Sequence, residues 1–186
     1  MKSVTFITGN QKKADLLAKY LGHPIKHVKL DLDEIQSLDL NEIVEHKVKQ
    51  AYEIVKEPVL VEDIALEFES LGRLPGPFIK FFLAELSFED ICRLVDGKSR
   101  KATARCVTGY YDGTTLKLFE GALKGEVPEQ PEEGSGFGWD PIFIPEGYSK
   151  VRSVLSEEEY QETYLKIRPV APLKEFLDTL VEGGDT

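Results

Sequence analysis

A short apolar, β-branched run, Val59–Val61, leads straight into two adjacent carboxylates, Glu62 and Asp63. The pattern reads as a buried strand that delivers acids at its C-terminal end. In open α/β sheets that end is where ligands bind. Leu74-Pro75-Gly76-Pro77 then makes a rigid turn, and Lys80 follows on the first turns of a helix. Carboxylates and a lysine gathered around a turn suit a metal and a phosphate.

The N-terminal stretch has the same logic. Ser3–Ile7 reads as a strand that enters Thr8-Gly9-Asn10-Gln11-Lys12-Lys13, after which Ala14, Leu17, Ala18 and Leu21 recur at helical spacing up to Gly22. Asn10 is placed to cap the helix and Gly9 to let the backbone approach a ligand closely. Lys13 falls in the first turn, where a cation opposes the helix dipole unless an anion sits above it. Strand, tight turn and helix therefore form a general phosphate site, although TGNxxK is not the GxxxxGK[ST] loop. The alternative is a solvated, capped helix. No GxGxxG follows the first strand, which argues against a dinucleotide-binding dehydrogenase.

Ile25–Leu32 is expected to be a second strand, followed by the acidic stretch Asp33-Glu34-Ile35-Gln36-Ser37. A helix opens near Asp39, with Ile43, Lys47, Ala51 and Ile54 along one broad face that Lys47 interrupts. A lysine in that position usually snorkels to the edge. Pro77–Leu86 and Phe88–Val95 read as helices. Ala102–Tyr111 and Thr115–Ala122 read as strands joined at Asp112-Gly113, a strong hairpin signal. After a Pro/Gly-rich acidic loop comes Phe137-Gly138-Trp139-Asp140-Pro141, with the chain's single tryptophan. Aromatic faces beside one acid can hold a nucleobase by stacking and hydrogen bonds, and the alternative is a tryptophan that plugs the core rim. Ser156-Glu157-Glu158-Glu159 has the capping-box pattern for a helix to about Ile167. Pro169 and Pro172 obstruct that helix before a final amphipathic one, Leu173–Val181, which ends at Gly183-Gly184.

At 186 residues the chain is expected to form one α/β domain. Its 33 acids against 23 bases, a formal charge of −10, disfavour a nucleic-acid polymer or an anionic membrane as main partner. Cys92 and Cys106 lack metal-ligand spacing and read as core thiols. Without a leader-like or membrane-length apolar run, a cytoplasmic location is expected.

The strings TGNQKK at 8–13, DEIQS at 33–37, VEHK at 44–47, VLVEDIAL at 59–66, GRLPGPFIKFFL at 72–83 and FGWDPIFIPEGY at 137–148 occur in one order. The series resembles the inosine triphosphate pyrophosphatase family over most of the chain. That resemblance implies a mixed, elongated α/β sheet with flanking helices, two lobes around a nucleotide cleft, and a homodimer. It implies cleavage of a nucleoside triphosphate between its α- and β-phosphates with Mg²⁺, acting on deaminated purines such as ITP, dITP and XTP. By position, Thr8, Gly9, Asn10 and Lys13 would hold phosphate, Lys47 and Lys80 would be further phosphate partners, and Glu34 would be a magnesium ligand. Asp63 would be the water-activating base or a metal ligand, and Phe137, Gly138, Trp139 and Asp140 would surround the purine. The chemistry asks for the same residue types, since lysines and a hard cation neutralise phosphate oxygens while a carboxylate binds or deprotonates the attacking water.

The departures lie at the end that reads the base. Aligned without gaps, Tyr160 replaces the family's lysine, Leu165 its histidine and Lys166 its arginine, so that of these only Lys166 keeps a charge. Ile64 stands where a small hydroxyl residue is usual, and Leu16 where an acid is. The expectation is therefore retained pyrophosphohydrolysis with weakened or redirected base selectivity. A nucleotide-binding regulator without turnover is the alternative.

Overall fold

The computed structural model describes residues 4–22 and 25–182, with the side chains of 181 and 182 left aside; the expected helix end at Gly183-Gly184 lies outside them. Among the described residues a seven-stranded sheet has the order β2-β1-β3-β5-β6-β7, with β4 paired to β3 off that path. The strands are β1 Thr5–Ile7, β2 Lys26–Val28, β3 Val59–Phe68, β4 Pro75–Gly76, β5 Lys101–Tyr111, β6 Leu116–Glu126 and β7 Ile144–Pro145. The helices are α1 Gln11–Leu21, α2 Leu40–Val55, α3 Ile79–Glu85, α4 Phe88–Arg93, α5 Glu157–Ile167 and α6 Val170–Glu182. The mixed sheet expected from the sequence is present: β1 pairs in parallel with β2 and β3, whereas β3–β4 and β6–β7 are antiparallel.

The chain forms two compact units. The first comprises Met1–Asp63, Val107–Glu120 and Pro169–Thr186, and the second Ile64–Cys106 and Gly121–Arg168. In the first, β1 is buried at every position and is paired in parallel on both edges, to β2 and β3. Asn10 caps α1 by accepting from the Lys13 N–H at 3.3 Å, and Gly22 closes it at φ 68°. Asp39 caps α2, whose inward face is Leu40, Ile43, Val44, Val48 and Ala51. Val44 and Val48 take the place expected of Ile54, which is 56% exposed at the helix end. Ile7, Val48, Ala51, Val59 and Val61 form this unit's core, and Phe176 of α6 meets Tyr110 edge-on at 5.0 Å.

In the second unit Leu66, Phe68, Cys106, Trp139, Phe143 and Ile167 lie in one apolar cluster. Both cysteines are buried free thiols, and burial pushes Cys92 up to about 11. Ser156 and Glu159 complete the expected capping box of α5.

Several boundaries differ from the sequence reading, each for a local reason. The second strand ends at Val28 instead of Leu32, because its ladder extends only along the short β1; Leu30 and Leu32 still pack on the first core. Glu62 and Asp63 lie inside β3, not at its end, since Ala65, Leu66 and Phe68 continue the strand into the second core. Pro75-Gly76 of the expected turn pairs with Leu66 and Glu67. The β5–β6 loop spans residues 112–115, and Asp112 Oδ1 accepts from the Thr114 and Thr115 amides, an Asx-type closure in place of a tight two-residue turn. The last helix begins at Val170, because Pro172 falls in its first turn, where the missing N–H is harmless.

Gly121 shows how closely β6 approaches α5: an added Cβ would fall on the Ile167 carbonyl oxygen, a backbone atom that cannot swing aside. Gly121→Ala is therefore expected to lower stability by about 1–3 kcal/mol. A denaturant midpoint equal to that of the parent chain would contradict this packing.

Candidate active site

The first unit gathers the residues expected at the phosphate end. Thr8 Oγ1 accepts from the Asn10 N–H at 3.1 Å, which shapes the turn into α1. At Gly9 an added Cβ would lie 2.9 Å from the Lys29 Cδ, so the turn is crowded by a lysine that the sequence reading did not single out. Lys13 stands in the first turn of α1, and the anion it needs is supplied by the chain itself: Glu62 Oε1 lies 3.5 Å from its Nζ, with the Glu62 side chain only 6% exposed. Glu62, whose adjacency to Asp63 was the first signal in the sequence, was not assigned a role there.

Lys47 is the centre of the second cluster. From the inward face of α2 its ammonium donates to Glu34 Oε1 at 3.1 Å and Asp63 Oδ2 at 3.2 Å. Burial works to lower the Lys47 pKa, and Asp63 and Glu34 more than offset it, so the value is raised above 10.5. The lysine thus bridges two acids that lie far apart in the sequence instead of snorkelling to an empty edge. Two carboxylates on one cation are hard oxygen donors of the number that Mg²⁺ usually takes from a protein, the remainder being water and phosphate oxygens. No group of three or more such side chains able to hold a metal occurs among the described residues.

The second unit holds the residues expected at the base end and, with them, Lys80, which was expected to bind phosphate. Lys80 is exposed on α3, with its Nζ 5.1 Å from the centroid of the Phe81 ring. Phe137 is 38% exposed. Gly138 has φ 66°, the left-handed conformation that favours glycine. Trp139 is 5% exposed and packs edge-on against Phe143 at 5.4 Å. Asp140 is buried, and three donors converge on it: Arg152 Nη1 at 2.7 Å, the Tyr160 hydroxyl at 2.9 Å and the Phe137 N–H at 3.1 Å.

Lys166 occupies a different face of α5 from Tyr160. It is exposed, and its Nζ is 6.0 Å from the Tyr148 ring, whose hydroxyl donates to Glu162. The buried cation near Asp140 is Arg152, which the sequence reading missed. Its only signal was an arginine between valines, Val151-Arg152-Ser153-Val154, in a stretch to which the sequence reading gave no element.

Burial, and then the Asp140 carboxylate, push the Tyr160 phenol from 10.0 up to about 12. A folded value above the unfolded one means that this contribution to stability is complete below pH 10 and is lost as pH rises from about 10 to about 12. The stability difference between the parent chain and Tyr160→Phe should therefore shrink across that window in urea titrations. A difference that stays constant would place the phenol outside the Asp140 network.

The sequence model of the Ham1 family matches residues 4–176. The chain is 40% identical over 176 residues to inosine triphosphate pyrophosphatase 2 of Trypanosoma cruzi, covering 92% of this chain and 90% of that protein. It is 36% identical over 184 residues to the inosine triphosphate pyrophosphatase of Schizosaccharomyces pombe, covering 96% and 97%. Among solved structures, the Ham1 protein of Staphylococcus aureus superposes with a TM-score of 0.80 at 24% identity, over 96% of this chain and 99% of that one, a likeness of fold. With the family model spanning nearly the whole sequence and relatives this similar over nine-tenths of both chains, the protein belongs to the Ham1 family.

Proposed function

We propose that this chain is a nucleoside triphosphate pyrophosphohydrolase acting on deaminated purine nucleotides such as ITP, dITP and XTP, releasing the monophosphate and pyrophosphate. The observation that carries the reading is the meeting of Glu34 and Asp63 on the Lys47 ammonium. Two carboxylates and a buried lysine are the groups that hydrolysis at a phosphorus atom requires. The names borne by the relatives, inosine triphosphate pyrophosphatase, agree with it.

In this reading the first turn of α1 and Lys13 bind the triphosphate, with Thr8 and Asn10 fixing the turn that presents the amides. Lys47 and Lys80 neutralise further phosphate oxygens. Glu34 and Asp63 would hold the divalent cation, Mg²⁺ by their hard oxygen chemistry, and the cation when bound supplies charge neutralisation at the phosphate oxygens. Asp63 takes the proton of the attacking water as its oxygen bonds to the α-phosphorus. The bond from that phosphorus to the bridging oxygen breaks, and pyrophosphate leaves. Lys13 and Lys47 are already paired with Glu62, Glu34 and Asp63, so an incoming triphosphate exchanges one set of anionic partners for another. That exchange limits the cost of desolvating the lysines.

A second reading, the same hydrolysis with a redirected base preference, is favoured by the three donors already on Asp140 and by the outward placement of Lys166.

Pyrophosphate release with Mg²⁺ is to be measured for ITP, XTP, dITP and the common ribonucleotides. Chelation should abolish turnover and added Mg²⁺ restore it. Asp63→Asn should reduce the rate by at least about 100-fold with a nearly unchanged melting curve. Near-normal turnover in that variant removes Asp63 from the mechanism, and binding without release from any triphosphate supports a non-catalytic nucleotide binder.

A further inference from the structure

Residues 29–39, which join β2 to α2, form neither helix nor strand, so no backbone ladder fixes Glu34, the acid proposed to hold the cation together with Asp63. Side chains of α2 hold the segment instead. The Gln50 amide makes two hydrogen bonds to Asp33: its Oε1 accepts from the Asp33 N–H at 2.8 Å, and its Nε2 donates to Asp33 Oδ2 at 3.0 Å. Together these contacts set the orientation of the amide, because turning it over would place donor against donor and acceptor against acceptor. Nearly one turn earlier on the same helix, Lys47 Nζ donates to Glu34 Oε1 at 3.1 Å. Neighbouring residues of the connecting segment are thus gripped by Gln50 and Lys47, which stand at i and i+3 spacing on one side of α2.

The two grips differ in what happens to them when ligands bind. Lys47 also donates to Asp63 Oδ2 at 3.2 Å, and in the proposed reaction it yields both acids to a divalent cation and turns to phosphate oxygens. Its hold on Glu34 is then lost in the very state that needs Glu34 in place. The Gln50 amide is neutral and holds Asp33, so its two bonds persist when the cation binds. The far end of the segment is tied separately: Ser37 Oγ donates to Glu42 Oε2 at 2.7 Å and accepts from the Asp39 N–H at 3.0 Å. Leu32, just before Asp33, packs on the first core. The Glu34 side chain itself is 37% exposed, so burial contributes little to its placement.

We propose that Gln50 is a positioning residue for the divalent cation: by clasping the backbone and the carboxylate of Asp33, it keeps Glu34 in place opposite Asp63 while the Lys47 ammonium gives way. This role rests on the pyrophosphohydrolase reading above. Carboxylates that bind a metal depend on such outer hydrogen-bond partners, which set where the ligand oxygen points before the ion arrives. Gln50 itself touches neither cation nor nucleotide. Its effect therefore falls on the affinity for the cation, and the chemical step at saturating cation is spared.

The full chain is to be compared with Gln50→Ala, Gln50→Glu and the double variant Asp33→Asn with Gln50→Glu. Gln50→Ala removes both bonds, and Gln50→Glu sets one carboxylate against another. The double variant restores the side-chain bond with its direction reversed, keeps the acceptor for the residue 33 N–H and leaves the net charge unchanged. Two quantities are measured. One is the Mg²⁺ concentration for half-maximal pyrophosphate release from ITP, beside kcat at saturating Mg²⁺. The other needs no turnover: binding of Mn²⁺, a probe ion that shares the preference for carboxylate oxygens, followed by electron paramagnetic resonance with inosine 5′-(α,β-imido)triphosphate present. Each single variant should raise the half-saturating Mg²⁺ concentration and weaken Mn²⁺ binding by roughly tenfold, with kcat at saturating Mg²⁺ within about twofold of the parent, and the double variant should recover most of the loss. Unchanged cation affinity in folded Gln50→Ala overturns the role, as does a double variant no better than Gln50→Glu, or a parent chain that binds no Mn²⁺. If Gln50→Ala does not fold, the comparison of Gln50→Glu with the double variant decides. Failure of the pyrophosphohydrolase reading is separate: it shows as no pyrophosphate from any triphosphate, and Mn²⁺ binding still decides the role of Gln50.

Discussion

The structure depends on one long strand. Residues Val59–Val61 of β3 are buried in the first unit, Leu66 and Phe68 are buried in the second, and the polar interval between them holds Glu62 and Asp63. Carboxylates are tolerated there because each meets a cation: Lys13 for Glu62, and Lys47, shared with Glu34, for Asp63. An unpaired charge at that depth would be expelled or neutralised. The strand thus carries Asp63, one of the two acids on which the proposed hydrolysis depends, with buried positions of β3 on either side of it.

In the proposed function, the lysines of the first unit are the means by which an acidic protein with a formal charge of −10 would meet a polyanion. Its net field does not attract phosphate, so attraction has to be local. Lys13 at a capped helix start and Lys47 on the inward face of a helix are local in this sense, each held in orientation by acids before any ligand arrives. Preorganisation of this kind places the charge where it will be needed, without a side-chain ordering cost at the moment of binding.

The second unit uses a buried ion pair differently. Arg152 and Asp140 are each 2% exposed and joined at 2.7 Å, and such a pair is weak ground for stability but strong ground for geometry. It ties the Phe137–Asp140 segment to α5 through Tyr160 and Thr163. The departures from the family pattern on α5 then make physical sense. Tyr160 supplies a neutral hydroxyl donor to the carboxylate, and Arg152, from the preceding turn, supplies the cation. Lys166 and Leu165, the positions with the most obvious substitutions, face outward.

Periodicity, caps and turn residues were legible without coordinates. The Asn10 and Ser156 caps, the Gly22 stop and the lysine that breaks the apolar face of α2 all follow from local chemistry that acts within a few residues. Strand ends were not legible, because a strand extends as far as its neighbour offers a ladder: β2 stops with β1, while β3 continues through its acids. Pairing of charges was likewise undetermined. Sequence placed Glu34, Lys47 and Asp63 as candidates, but only the tertiary structure decided that one ammonium would serve both acids, and that Glu62 would answer Lys13. The same holds for Arg152, a surface-type residue by composition that is buried because a carboxylate from a remote segment meets it. Local propensity acts over a turn of chain, whereas the partner that makes a buried charge affordable comes from wherever the fold brings it.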